Sequence, residues 1–235
     1  TLVSDKEAKR FIKAIKGVSK KPIRYVINTH AHLDHVFGNA EFVKLGAVVI
    51  AQENCTLAMA QKAETTLRNS GQYGLTPQDM QGTTIAYPML SYGDRLTIDL
   101  GGQSVELRHA RSSHSEGDTL VYLPDKKVLF AGDILFTGYH PFLAEGNIEE
   151  WCGELDDLQA MTVEVIIPGH GPLSGKKDLA EMKQYLLQFD QQAKALTSQG
   201  GDPQALAAEM LKTLPPRGES AWLVNANLKM KYLKK

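Results

Sequence analysis

The stretch Thr29-His30-Ala31-His32-Leu33-Asp34-His35 constrains this chain more than any other. Four strong metal-ligand side chains, at positions 30, 32, 34 and 35, fall within six residues. A continuous helix would turn residues 30 and 32 away from each other. A continuous strand would put 30, 32 and 34 on one face and 35 on the other. The stretch follows Pro22-Ile23-Arg24-Tyr25-Val26-Ile27, which reads as a buried strand. The expectation is a loop at the carboxyl end of a strand, wrapped around one or two metal ions. Imidazole and carboxylate together suit zinc, iron or manganese.

A closed metal site takes four or more donors, so the rest of the chain has to supply some. Residues 5 to 16 carry Ala8, Phe11, Ile12 and Ile15 at helical spacing, opened by a Ser4-to-Glu7 capping box and stopped by Gly17. A strand over 23–27, a helix over 38–45 and a strand over 47–51 predict a βαβ unit. Residues 53–69 read as a helix. Residues 71–94, rich in Gly and Pro, read as a substrate-facing loop or a plain surface excursion. From 95 the apolar period becomes two: Leu96, Ile98 and Leu100, then Val105, Leu107 and His109. Strands over 119–123 and 128–131 flank the turn Pro124-Asp125-Lys126-Lys127, which predicts antiparallel pairing. A helix over 147–161, a strand over 163–167 and a tight loop over 168–172 follow. Helical stretches over 176–198, 203–213 and 219–233 end the chain.

Three further donors fall at ends of expected strands, where α/β proteins gather their sites. His114 lies in the loop after the 103–110 strand, Asp133 follows the 128–131 strand, and His170 sits in Pro168-Gly169-His170-Gly171. With the opening stretch they make seven donors, enough for two metals. His109 reads as structural. His140 reads either as lining the pocket or as a turn residue before Pro141. Trp151, Tyr139, Phe142 and Tyr92 read either as an apolar wall for substrate or as core.

Composition narrows the function classes. The 26 Lys and Arg balance 27 Asp and Glu, which argues against a nucleic-acid binder, whose basic excess would be strong. No apolar run reaches the roughly 18 residues a membrane span needs. The two cysteines, Cys55 and Cys152, form no CxxC pattern, and Cys55 reads as a small packed residue. Lys229, Lys231, Lys234 and Lys235 read as a solvated helix face. The expected partner is a small-molecule substrate.

The motif His30-x-His32-x-Asp34-His35, followed in order by His114, Asp133 and His170, resembles the metallo-β-lactamase superfamily over residues 5 to 175 or so. The resemblance implies an α/β fold, a four-layer αβ/βα sandwich of two mixed β-sheets. It implies a metal-binding catalytic domain over 1–175 and a C-terminal helical extension over 176–235 packed on it. His30, His32 and His114 would hold the first metal, Asp34, His35 and His170 the second, and Asp133 would bridge them. The implied cofactor is two Zn2+ per chain, with Fe or Mn also fitting. The implied activity is that of a dinuclear zinc-dependent hydrolase. A metal-bridged hydroxide would attack the carbonyl of an ester, thioester, lactone or amide, with Asp34 catalytic as a proton carrier. The alternatives are a true β-lactam-hydrolysing enzyme and a mononuclear iron redox or sulfur enzyme.

Asp133 as bridging ligand looks like glyoxalase II, whereas His114-Ser115-Glu116-Gly117-Asp118 and Gly146 to Trp151 look similar to class B β-lactamases. The lysine that many of those enzymes use for the substrate carboxylate would fall on Phe136. The several strands that usually open the family fold have no match before residue 5. The expectation is an N-terminally truncated fold, whose bare sheet edge would suit pairing in a homodimer. The Thr1 start suggests a processed or trimmed chain, slightly favouring a bacterial periplasmic or secreted location over a cytoplasmic one.

Overall fold

The computed structural model describes residues 1–198 and 200–233; of the four basic residues read as a solvated face, Lys234 and Lys235 lie outside them. The chain is α/β, with two sheets and helices, and divides into two units, Thr1–Leu96 and Thr97–Lys235.

The first unit opens on α1 (Asp5–Val18), whose N-cap Ser4 accepts the Glu7 amide as the capping box requires. Three parallel strands follow: β1 (Tyr25–Ile27), β2 (Val48–Gln52) and β3 (Leu90–Tyr92), in the order β1-β2-β3. The expected βαβ unit is present. Its connection is not one helix over 38–45 but two short ones, α2 (Leu33–Val36) and α3 (Asn39–Val43). Helix α4 (Glu53–Arg68) runs as expected. Val26, Phe42, Ala47 and Val49 pack with Ala8 and Ile12 of α1 in one cluster. Val36, Phe37, Ala51, Cys55 and Met59 form a second, which confirms Cys55 as a packed residue.

The second unit is built on a five-stranded sheet of order β4-β5-β6-β7-β8: β4 (Arg95–Asp99), β5 (Ser104–His109), β6 (Thr119–Leu123), β7 (Val128–Phe136) and β8 (Val165–His170). β5, β6 and β7 pair antiparallel, and β8 joins β7 in parallel. Two strands outrun their expected ends. β7 continues past 131 through Gly132, at φ +52°, where its register with β8 shifts. Such a bulge re-aims side chains without ending the strand. Because β7 continues, β8 has a partner as far as His170, which pairs with Phe136. His170 therefore closes a strand and does not sit in a loop.

Helices α5 (Ile148–Ala160), α6 (Lys176–Thr197), α7 (Pro203–Leu211) and α8 (Trp222–Asn227) complete this unit. α8 is shorter than the expected 219–233 helix. Ser220 at φ +61° stands before it, and a π-helical turn, Leu228–Tyr232, follows it. Leu129, Ile134, Trp151, Leu155, Met182, Tyr185, Phe189, Val224 and Leu228 share one continuous core. The C-terminal helices are thus part of the packing around β7. Among the described residues, no helix is long and apolar enough to cross a membrane.

Candidate metal centre

In the first unit, the ligand stretch begins where β1 ends. The Asn28 amide still bonds Ile50 O, as a strand residue would. Its side chain exchanges two hydrogen bonds with the buried Asn39 amide, at 3.0 and 2.9 Å, and Asn39 also donates to Ala86 O at 3.1 Å. This amide pair ties both ends of the stretch together. Residues 30 and 32 lie in the turn, and residues 34 and 35 lie on α2, with His32 as its N-cap. The donors do not all fall in a loop. A bend followed by one helical turn gathers them instead. The His30 ring lies 4.7 Å from that of His32 and 4.2 Å from that of His35, centroid to centroid. Asp34 Oδ2 is 3.2 Å from His35 Nε2. Thr29 Oγ1 is 3.2 Å from His30 Nδ1.

In the second unit, three separate elements supply the donors. His114 lies in the β5–β6 loop. Asp118 holds that loop, accepting the amides of His114 at 2.9 Å and Ser115 at 2.8 Å, and the Ser115 hydroxyl at 2.6 Å. The His114 Nδ1 lies 3.1 Å from Phe142 O. A carbonyl only accepts, so Nδ1 carries a proton, and in the neutral ring the lone pair is then on Nε2. Asp133 projects from β7 just after the bulge. Its Oδ2 is 3.5 Å from His114 Nε2 and 3.4 Å from His170 Nε2. Two imidazoles thus converge on one carboxylate oxygen. Gly169 makes this approach possible: a Cβ there would sit 1.9 Å from Asp133 Oδ1. His170 is stacked on Phe136 at 5.1 Å and lies 5.9 Å from the Tyr139 ring. Phe136, where a β-lactamase-type lysine would fall, is a wall for His170.

The expected substrate contacts divide. Trp151 is a correction. It is 0% exposed, its indole N–H donates to Ile134 O at 2.9 Å, and its ring packs 5.4 Å from that of His114. It backs the His114 ring from inside the core. His140 is a correction too. It is buried, with Nδ1 2.6 Å from the Tyr185 hydroxyl, and burial followed by the nearby Arg217 charge depresses its pKa. It is neither a pocket residue nor a free turn residue. Tyr139 is half-buried against His170, and the Phe142 ring lies 6.3 Å from His114. Tyr92 is buried at the end of β3. His109 bonds Glu116 O through Nε2 at 2.9 Å, consistent with a structural role. Lys231 is not simply solvated: its Nζ donates to Gly146 O at 2.5 Å.

Sequence reasoning missed the groups that support the candidate ligands. Asn28, Asn39 and Asp118 are one such set. Arg217 is another: it donates to the carbonyls of Phe136 and Tyr139, both at 2.7 Å, and lies 4.4 Å over the Tyr185 ring. Only Asp118 carried a local signal, four residues after His114.

The donor set fits a metal. The His and Asp side chains of each unit are of the kinds that hold zinc, and in the second unit they are already aimed together. The chain is 24% identical over 172 residues to the 2,4-dinitroanisole O-demethylase subunit alpha of Nocardioides sp. (strain JS1661), covering 72% of this chain and 47% of that protein. It is 24% identical over 209 residues to the linear primary-alkylsulfatase of Pseudomonas sp. (strain ATCC 19151), covering 75% and 39%. The chain thus spans less than half the length of these two curated relatives. A solved stereoselective inverting sec-alkylsulfatase from Pseudomonas sp. superposes with a TM-score of 0.70 at 20% identity, over 99% of this chain and 45% of that one. This is a likeness of fold, and it takes in the C-terminal helices as well. Residues 1–170 match the family model described as the metallo-beta-lactamase superfamily, and the chain belongs to that superfamily.

Proposed function

We propose that this chain is a dinuclear metal-dependent hydrolase, with zinc as the metal. Members of the superfamily bind metal ions, commonly zinc. His30, His32 and His114 would hold one ion, and Asp34, His35 and His170 the other. Asp133 would be shared. The observation that carries this reading is the convergence of His114 and His170 on a single Asp133 oxygen, at 3.5 and 3.4 Å. A carboxylate flanked by two imidazoles in this way suits a bridging ligand better than a lone ion pair.

Bound divalent ions supply Lewis acidity and lower the pKa of water from about 15.7 towards about 7. The chain's own residues do the rest. Asp34, half-exposed, holds and returns a proton at its carboxylate. Phe136 and Tyr139 wall the His170 ring and keep its orientation fixed. The Phe142 carbonyl fixes the His114 tautomer, a role typical of groups behind metal ligands. The substrate class is an ester, thioester, lactone or amide. Sulfate esters join it because one relative is named as an alkylsulfatase.

The test is elemental analysis of the purified protein joined to one substrate panel: carboxylic ester, thioester, lactone, β-lactam and alkyl sulfate. The expected result is two zinc ions per chain, hydrolysis of at least one class, and loss of activity on chelation. A protein fully loaded with metal that cleaves nothing in the panel overturns the reading. A single iron per chain would favour the mononuclear redox enzyme instead.

A further inference from the structure

We propose that Asn227, on the C-terminal helix α8, is a positioning residue for His114. It acts through one peptide bond. The side chain of Asn227 is 1% exposed, and its amide uses both ends. Oδ1 accepts the Leu143 amide N–H at 2.7 Å, and Nδ2 donates to Pro141 O at 2.9 Å. These contacts bracket Phe142. The Leu143 N–H and the Phe142 carbonyl belong to the same peptide unit, which is planar and trans. In such a unit N–H and C=O point in opposite directions. Gripping the N–H from one side therefore aims the C=O to the other, where it meets His114 Nδ1 at 3.1 Å. The chain of contacts runs from Asn227 Oδ1 through the Leu143–Phe142 peptide to the His114 ring. Hydrogen bonds in series polarise one another, so the Asn227 contact also makes the Phe142 oxygen a better acceptor. The Nδ1 proton of His114 is held there, and Nε2 faces Asp133 Oδ2 at 3.5 Å. A second contact from the same C-terminal segment steadies the far end of this loop, from Lys231 Nζ to Gly146 O at 2.5 Å.

Residue 227 lies outside the residues matched to the family, 1–170. The segment beyond 170 would thus set the geometry of a ligand inside the matched region. The metal consequence rests on the proposed function; the tautomer consequence does not.

The experiment separates the two. Metal-free full-length protein with 15N-labelled histidine is examined by NMR at a pH high enough that the spectrum itself shows a neutral His114 ring. Wild-type His114 is expected in the Nδ1–H tautomer alone. Asn227→Leu should give a mixture of tautomers. Asn227→Asp keeps an acceptor for the Leu143 N–H and should retain the single tautomer. Zinc titration then reads the metal consequence. Changes to groups that hold a metal ligand from behind typically cost 10- to 100-fold in metal affinity, so Asn227→Leu should weaken binding of one zinc by roughly tenfold and leave the other unchanged. An Nε2–H tautomer in wild type overturns the proposal, even if the leucine variant fails to fold. So does a leucine variant that melts earlier while keeping the wild-type tautomer and zinc affinity. If wild type holds the Nδ1–H tautomer but binds no zinc, the proposed function fails and the positioning role of Asn227 stands.

Discussion

In the first unit four ligand-capable residues come from one stretch, positions 30 to 35; in the second, three come from the β5–β6 loop, β7 and β8. The contiguous set needs only a bend, one turn of α2 and the Asn28–Asn39 pair to shape it. The dispersed set needs the packing of a whole sheet with α5, α6 and α8. Local geometry and tertiary packing thus reach the same end at different cost. A contiguous set should withstand loss of distant contacts, whereas a dispersed set should fail whenever two strands are pushed apart.

The largest expected effect tests that difference directly. Gly169→Ala would put a methyl group 1.9 Å from Asp133 Oδ1 and 2.8 Å from the Gly132 carbonyl carbon, between β7 and β8. Overpacking of this kind costs up to about 3 kcal/mol, and here the nearest atoms include backbone that cannot swing aside. Urea unfolding of the metal-free protein should show that loss, with zinc binding impaired besides. A cost below about 1 kcal/mol would mean that the two strands are not held this close.

Asp34→Asn comes next and probes chemistry in the contiguous set. The Asp34 side chain is 40% exposed, so its removal should change metal-free stability by no more than about 0.5 kcal/mol. Turnover should fall by at least about 100-fold, the lower range for general acid–base groups. Comparing kcat with the unfolding midpoint decides between roles. A large loss of stability in a variant that keeps its activity would make Asp34 structural.

Asn39→Ala is expected to cost about 2 kcal/mol, since the buried partner amide of Asn28 loses its bonds. Hydrogen exchange should then rise around residues 28–39 and leave β7 and β8 protected. Equal loosening in both units would erase the distinction between them.

The contiguous set was legible because its residue types and spacing speak together within six positions. The dispersed donors were legible one at a time, as polar residues where apolar runs end. What stayed hidden was long-range. Nothing near Asn227 in sequence points to Leu143, and nothing near Arg217 points to Phe136 and Tyr139. The extent of β7 was hidden by Gly132, which reads as a stop and acts as a bulge. For Trp151 and His140 the sequence leaves two readings open, because an aromatic beside a site has the same local sequence whether it faces outward or packs into the core. Only packing distinguishes the two.

His140 supplies the smallest effect and confines it to the dispersed side. Its ring faces the Tyr185 hydroxyl of α6 and the Arg217 guanidinium, and its backbone amide bonds Glu219 O at 3.0 Å. Burial, then the Arg217 charge, lowers its pKa below the ordinary 6.5. Tyr185, with its own pKa pushed up by burial, stays protonated and can donate to a neutral His140. Because the folded state disfavours the imidazolium, the unfolded state takes up a proton first as pH falls. The stability His140 contributes is therefore complete above about pH 6.5 and is lost as pH drops through its lowered folded value. Unfolding of metal-free wild type and His140→Asn should be compared between pH 7.5 and 5. The asparagine variant keeps an amide for Tyr185 but cannot titrate. Wild type should lose more stability than the variant across that interval, because the remaining histidines cancel in the difference. The acid-induced loosening should appear by hydrogen exchange in α6 and the segment after β7, and not in the turn that carries His30. If the two proteins follow parallel pH profiles, His140 is not titrating in this range, and acid sensitivity does not divide the two units.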